Sequence, residues 1–361
     1  MTDNLSIHPV STFSKTLAYL MVCSVLLYIF NNYLVYWQGL PGPYNLLVHL
    51  GWLGEASSAA LADEKINHGW MQLVGYIIVL FFTAVYVIKT NSLSLRQASE
   101  RLQILAAYLV RVAFWAVMLI GFVDMLISFM RIEKFLEFWI SNELIVQLGR
   151  PSFRGIYVHY PLLISSFVFA LIFRKISFSW LALMVVLSEF QIVLTRFVFS
   201  YEQAFQGDLV RFWYAALFLF ASAYTLINEG HVRVDVLYAG FSRVKKATAN
   251  IVGSLFLGIP LCWVILMHGL GGKGNSINSP LLSFEISQSG YGMYVKYLMA
   301  GFLVVFAVTM IIQFSSYFLR NMAELIEPEN KSPDEAGIPP LTDAALPEGM
   351  RKNSATQKRE S

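Results

Sequence analysis

The chain has 361 residues, 57% of them hydrophobic and 14% charged, with a formal net charge of +3. Soluble domains are about 45–50% apolar and about 25% charged, so this composition excludes an ordinary water-soluble domain and predicts a polytopic membrane protein. The basic residues stand singly beside apolar stretches and form no stripe for nucleic acid, and Cys23 and Cys262, both inside apolar stretches, give no disulfide framework.

A bilayer core of about 30 Å takes roughly 20 apolar residues in helical form. Segments meeting that need are Leu17 to Trp37, Trp70 to Ile88, Leu102 to Met130, Ile156 to Phe173, Phe178 to Phe199, Leu209 to Ile227, Ile251 to Leu270 and Met293 to Phe318. The predicted fold is therefore all-α, with about eight transmembrane helices. The N-terminal stretch has an acidic residue ahead of its only lysine and no small-residue cleavage site after the first apolar run, so no removable signal peptide is expected. Lysine and arginine mark cytoplasmic loops. Their distribution, with Lys89, Arg96, Arg101, Arg174, Arg243, Lys245 and Lys246 on one side, predicts both termini in the cytoplasm. The loop from Arg131 to Arg154 fits this poorly, because it places Arg131, Lys134, Arg150 and Arg154 outside.

In chain order, the loop from Gln38 to Gly69 opens with Leu-Pro-Gly-Pro and is expected to hold a short surface helix near Val48 to Ala60. Arg111 and Asp124 lie in the third span, 13 residues and thus roughly 20 Å apart, too far to pair. Each is expected to snorkel to its own interface. Phe135 to Leu148 reads as an interfacial helix or as a plain ordered loop. His159 and Pro161 leave the fourth span a short clean core.

The fifth span carries Glu189 and Arg196 two turns apart on one face, expected to face protein. Glu202 and Asp208 in the following loop are candidate partners for Arg196, and Asp208 can also pair with Arg211 at i+3. These residues are read as a structural ion-pair set between the fifth and sixth spans, in preference to an ion pathway. Lys296 can snorkel. Trp37, Trp70, Trp180 and Trp213 stand near span ends as interface anchors. No histidines face one another within two helices as haem ligands would. There is no Walker A, Rossmann, C-x-x-C or H-E-x-x-H pattern, and the Gly-rich run His268 to Ser276 lacks the Lys-Ser/Thr of a phosphate loop. No enzyme is expected.

Between the sixth and seventh spans runs NEGHVRVDVLY, Asn228 to Tyr238, too polar for hydrocarbon. Its alternation sets His231, Arg233 and Asp235 on one face of an extended segment. A solvated loop and a partner-contacting loop both remain open. This run, with LTRFVF before it, the helix ending SAYTLINEG and the last helix entered through SFEISQSGYGMYVKYLMAG, resembles the small membrane subunit (DctQ type) of tripartite ATP-independent periplasmic (TRAP) transporters. The resemblance covers about Phe178 to Ile326.

It implies a four-helix membrane domain over 178–326, preceded by a four-span N-terminal extension over 1–177. The proline- and charge-rich stretch 327–361 is expected to be a disordered cytoplasmic tail. It also implies a non-enzymatic scaffold subunit in a bacterial inner membrane, bound to a large TRAP membrane subunit and served by a periplasmic substrate-binding protein. Uptake would be of an organic acid or similar solute, and no cofactor is expected in this chain. The coupling ion, sodium, would bind in the large subunit. His231, Arg233 and Asp235 would help to fix the cytoplasmic side of the assembly. The competing classes are a self-sufficient channel or carrier, and a membrane sensor or assembly protein.

Overall fold

A computed structural model of the protein describes residues 9–53, 63–90, 93–174, 178–201, 203–227, 238, 240–287 and 292–326. The proposed tail, 327–361, lies outside them. Among the described residues the chain is helical, with no strands: α1 (Pro9–Trp37), α2 (Pro43–His49), α3 (Asp63–Lys89), α4 (Leu95–Ile132), α5 (Asn142–Leu148), α6 (Pro151–Ile172), α7 (Phe178–Val198), α8 (Ala204–Ile227), α9 (Arg243–Leu270), α10 (Asn278–Ser283) and α11 (Lys296–Ile326). Seven of these, α1, α3, α4, α6, α7, α9 and α11, are long and apolar enough to cross a membrane. The expected sixth span is helical within α8, which is not among the seven. The all-α polytopic expectation holds.

The two loops read as surface elements hold short helices. A short helix, α2, stands ahead of the one expected near Val48 to Ala60, started by Pro43 in its first turn, where its fixed φ and missing N–H are favourable; 54–60 of the expected stretch lie outside the described residues. Phe135 to Leu148 is neither one helix nor a plain loop. It forms a 3₁₀ turn, Phe135–Phe138, and then α5, with Phe138, Trp139 and Val146 exposed as interface anchors would be.

The bundle is organised around α4 and α11, which lie along each other while α1, α6, α8 and α9 pack around them. In α4, Leu95, Ser99, Leu102, Ala106, Val110, Ala113, Val117, Ile120, Asp124 and Ser128 are all buried. They recur three or four residues apart, so they form one stripe along the whole helix. α4 starts at a capping box: Ser94 Oγ accepts the Gln97 N–H at 3.2 Å and Gln97 Oε1 accepts the Ser94 N–H at 3.2 Å.

Two cores flank this axis. One joins Ala18, Val22 and Val25 of α1 to Cys262 and Leu266 of α9 and to Ala307, Ile311 and Leu319 of α11; the other joins Phe205, Phe212, Trp213 and Phe220 of α8 to Phe114, Val117 and Phe302. Lipid tails are as apolar as leucine, so these contacts hold through close packing and interhelical hydrogen bonds rather than through escape from water. A close approach of α4 and α11 is marked by Ser99 and Ser316. Each hydroxyl donates to the other residue's carbonyl at 2.8 Å, a reciprocal pair possible only where two backbones nearly touch.

Candidate functional site

Ionisable and phenolic groups meet inside this bundle, near the end of α4 that leads into Glu133. Asp124, Arg154 and His159 have fully buried side chains. Arg154 Nη1 donates to Asp124 Oδ1 at 2.9 Å and to Ser128 Oγ at 3.0 Å, while its Nε donates to the Leu148 carbonyl at 3.0 Å. The guanidinium carbon lies 4.0 Å from the centre of the Tyr294 ring, within cation–π range. His159 Nε2 is 3.0 Å from Asp124 Oδ1, and its Nδ1 is 2.8 Å from the Tyr297 hydroxyl. An ionised Asp124 only accepts, so Nε2 carries the proton, and in the neutral imidazole Nδ1 then accepts from Tyr297.

Local sequence makes this convergence possible. Residues five apart on an α-helix point about 140° away from each other, so Arg154 and His159 would not both reach one carboxylate. The π-turn Gly155–His159 between them changes that phase. Gly155 is required for a second reason: a Cβ there would overlap the Phe284 ring. Phe284 is itself held in the left-handed region, φ +51°, as the cap of α10, and its ring meets Tyr297 edge-on at 5.2 Å. Gly155→Val is expected to destabilise the protein by about 1–3 kcal/mol through overpacking, read as a lower unfolding midpoint of the purified chain.

A second carboxylate completes the arrangement. Asp208, on α8, accepts from Ser287 Oγ at 2.8 Å and from the Met293 N–H at 3.1 Å; the next amide, Tyr294 N–H, donates to Asp124 Oδ2 at 2.8 Å. Consecutive amides just before α11 are thus tied to carboxylates on two different helices. Asp208 stands ahead of the expected span Leu209 to Ile227. Burial raises its pKa above the ordinary carboxylate range, and the bonds from Ser287 and Met293 oppose that shift.

Several expectations change here. Asp124 does not snorkel, and His159 is not an incidental residue at a span end; each is the other's partner. Arg111 is half-buried, its guanidinium carbon 5.9 Å from the Tyr108 ring. Of the four positive charges that strained the topology, Arg154 is bound as above, and Arg131 donates to the Tyr294 hydroxyl at 2.8 Å. Two of the four are therefore internal contacts, not free loop charges. Lys296 pairs with Glu285 at 2.6 Å.

Of the residues singled out in the ion-pair set, Asp208 and Arg211 come together at 3.7 Å, with Arg211 largely exposed. Glu189 and Arg196 lie on the exposed side of α7. Glu202, His231, Arg233 and Asp235 lie outside the described residues. The sequence reading named Arg154 and His159 but gave them no partner, and it did not single out Tyr297. The available signal was Asp124 itself, four residues after Ile120 and so on the face that Ile120 shares with Val117.

Arranged this way, the cluster ties α4, α6 and the start of α11 together through its own hydrogen bonds. No curated protein and no solved structure matches the chain. Residues 184–324 match the family model described as tripartite ATP-independent periplasmic transporters, DctQ component. The resemblance is thus borne out from within α7 to near the end of α11: the second half of the chain carries a DctQ domain, the small component of TRAP transporters, which places the protein among multi-pass components of the inner membrane.

Proposed function

We propose that the chain is the scaffold subunit of a TRAP-type secondary transporter, which supports a large membrane subunit during ion-driven uptake of an organic acid or similar solute delivered by a periplasmic binding protein. The match over residues 184–324 carries this reading. The chemistry of the bundle supports it: Asp124, Arg154 and His159 are committed to one another and to Ser128, Tyr294 and Tyr297, as in a fastening and unlike a route that an ion must enter and leave. The coupling ion, sodium in this reading, and the solute would be bound by the large subunit.

Reconstitution tests it. Proteoliposomes holding this chain with the large subunit of the same genome, supplied with the binding protein and a sodium gradient, are expected to accumulate solute, and either membrane subunit alone is expected to give background flux. Solute flux through vesicles that contain this chain alone would instead make it a carrier or channel.

A further inference from the structure

α7 is among the least enclosed of the long helices. It packs chiefly on α8 and turns Leu183, Val186, Phe190, Val193 and Phe197 outward. Glu189 stands on this same exposed side. In a helix of 21 residues it lies about 15 Å from either end, midway through the hydrocarbon. Among the described residues nothing donates a hydrogen bond or a positive charge to it.

A carboxylate that faces acyl chains at this depth is strongly unfavourable, and ionisable residues within spans face protein or a watery cavity. α3 makes the contrast. It also exposes large side chains, Ile77, Ile78, Phe81 and Phe82 among them, but its charged residues are confined to its two ends, so that surface suits lipid as it stands. α7 does not.

We infer that the Glu189 face of α7 is the contact surface for a second membrane protein, one whose transmembrane helix brings a basic or amide side chain to mid-depth. Resting on the functional reading above, that protein is the large membrane subunit. Val186, Phe190 and Val193 supply close apolar packing around the contact, and Glu189 supplies a directional polar bond that sets rotation and register, as polar groups do between helices in lipid.

The test uses the full chain co-expressed with a tagged large subunit. Glu189→Leu is expected to lower recovery of this chain with the large subunit at least tenfold, and Glu189→Gln, which keeps a hydrogen-bonding group, by less. The yield of the chain expressed by itself should be unchanged or higher, because a membrane-facing charge has been removed. Photocrosslinkers at Val186 and Val193 should capture the large subunit, and those at Ile77 and Phe81 of α3 should not. Unchanged recovery for Glu189→Leu, or crosslinks confined to α3, overturns the assignment. Should Glu189→Leu reduce the yield of the chain itself, the crosslinks in the otherwise native protein decide. If the wild-type chain recovers no large subunit, the functional reading fails first and this inference falls with it.

Discussion

Asp124→Ala is expected to destabilise the protein by about 3–5 kcal/mol, the usual consequence of removing one partner from a buried ion pair. The alanine leaves Arg154 charged at zero exposure with its counterion gone. It also leaves His159 Nε2 and the Tyr294 N–H unsatisfied. Most of the loss is thus the stranding of other groups rather than the intrinsic strength of the pair. Asp124→Asn should cost less, since it keeps an acceptor without the charge. The double variant Asp124→Ala with Arg154→Met should recover much of the loss, because the unpaired charge leaves together with its counterion. Unfolding of the purified variants, followed in one detergent, measures all three. If Asp124→Ala falls within about 1 kcal/mol of the wild type, outside the range for a stranded buried charge, the cluster is wet and its role as a fastening is refuted.

When the chain is severed within 175–177 and its two parts are co-expressed, tagged 178–361 is expected to recover 1–177 in near-equal amount. The reason is geometric. α4, from the N-terminal part, fills the axis of the bundle against α8 and α11, so Phe212 and Phe302 share a core with Phe114 and Val117, and Ile311 and Leu319 share one with Leu95 and Leu102, across the cut. The Ser99–Ser316 pair and the bonds from Asp124 and His159 to residues 294 and 297 also cross it. Asp124→Ala in the N-terminal part should lower recovery at least tenfold, and about 1.4 kcal/mol of the cluster's contribution would suffice for that. Parts that purify separately would show that the first four spans are only loosely attached.

The long apolar segments were legible because a bilayer sets a length that a sequence either meets or does not. The eight stretches read from hydropathy all lie in helices of the structure, apart from residues at some of their ends. What was not legible is which way each helix faces. In a soluble helix the buried stripe of α4 would stand out against polar residues. Here Phe122 and Leu126 face outward and Ile120 and Val117 face inward, and both sets are apolar. Asp124 was therefore visible as a charge but not as an inward one.

The π-turn after Arg154 hid the rest. Counting by 3.6 residues separates Arg154 from His159, and Gly155 gave no sign that it was reserved for the Phe284 ring. Glu189 differs in another way. Its charge suggested a face turned to protein, and within this chain the structure leaves that face exposed. The loop His231 to Asp235 was the most family-specific stretch in the sequence, yet it lies outside the described residues, so its chemistry rests on the sequence alone.

α4 has 38 residues and is about 57 Å long, nearly twice the hydrocarbon thickness of about 30 Å. The beginning of α4 carries Arg96, Glu100 and Arg101, charges suited to water and not to hydrocarbon, and it runs alongside the final turns of α11, where Leu95 and Ala98 are enclosed together with Leu319 and Ala323. In that protruding stalk the solvent is aqueous, so the same kind of side chains cohere through the ordinary hydrophobic effect, a force that is missing one or two turns deeper. One continuous pair of helices is thus held by two different kinds of cohesion. Urea, which weakens the aqueous kind, acts on the stalk while the portion embedded in lipid is shielded from it.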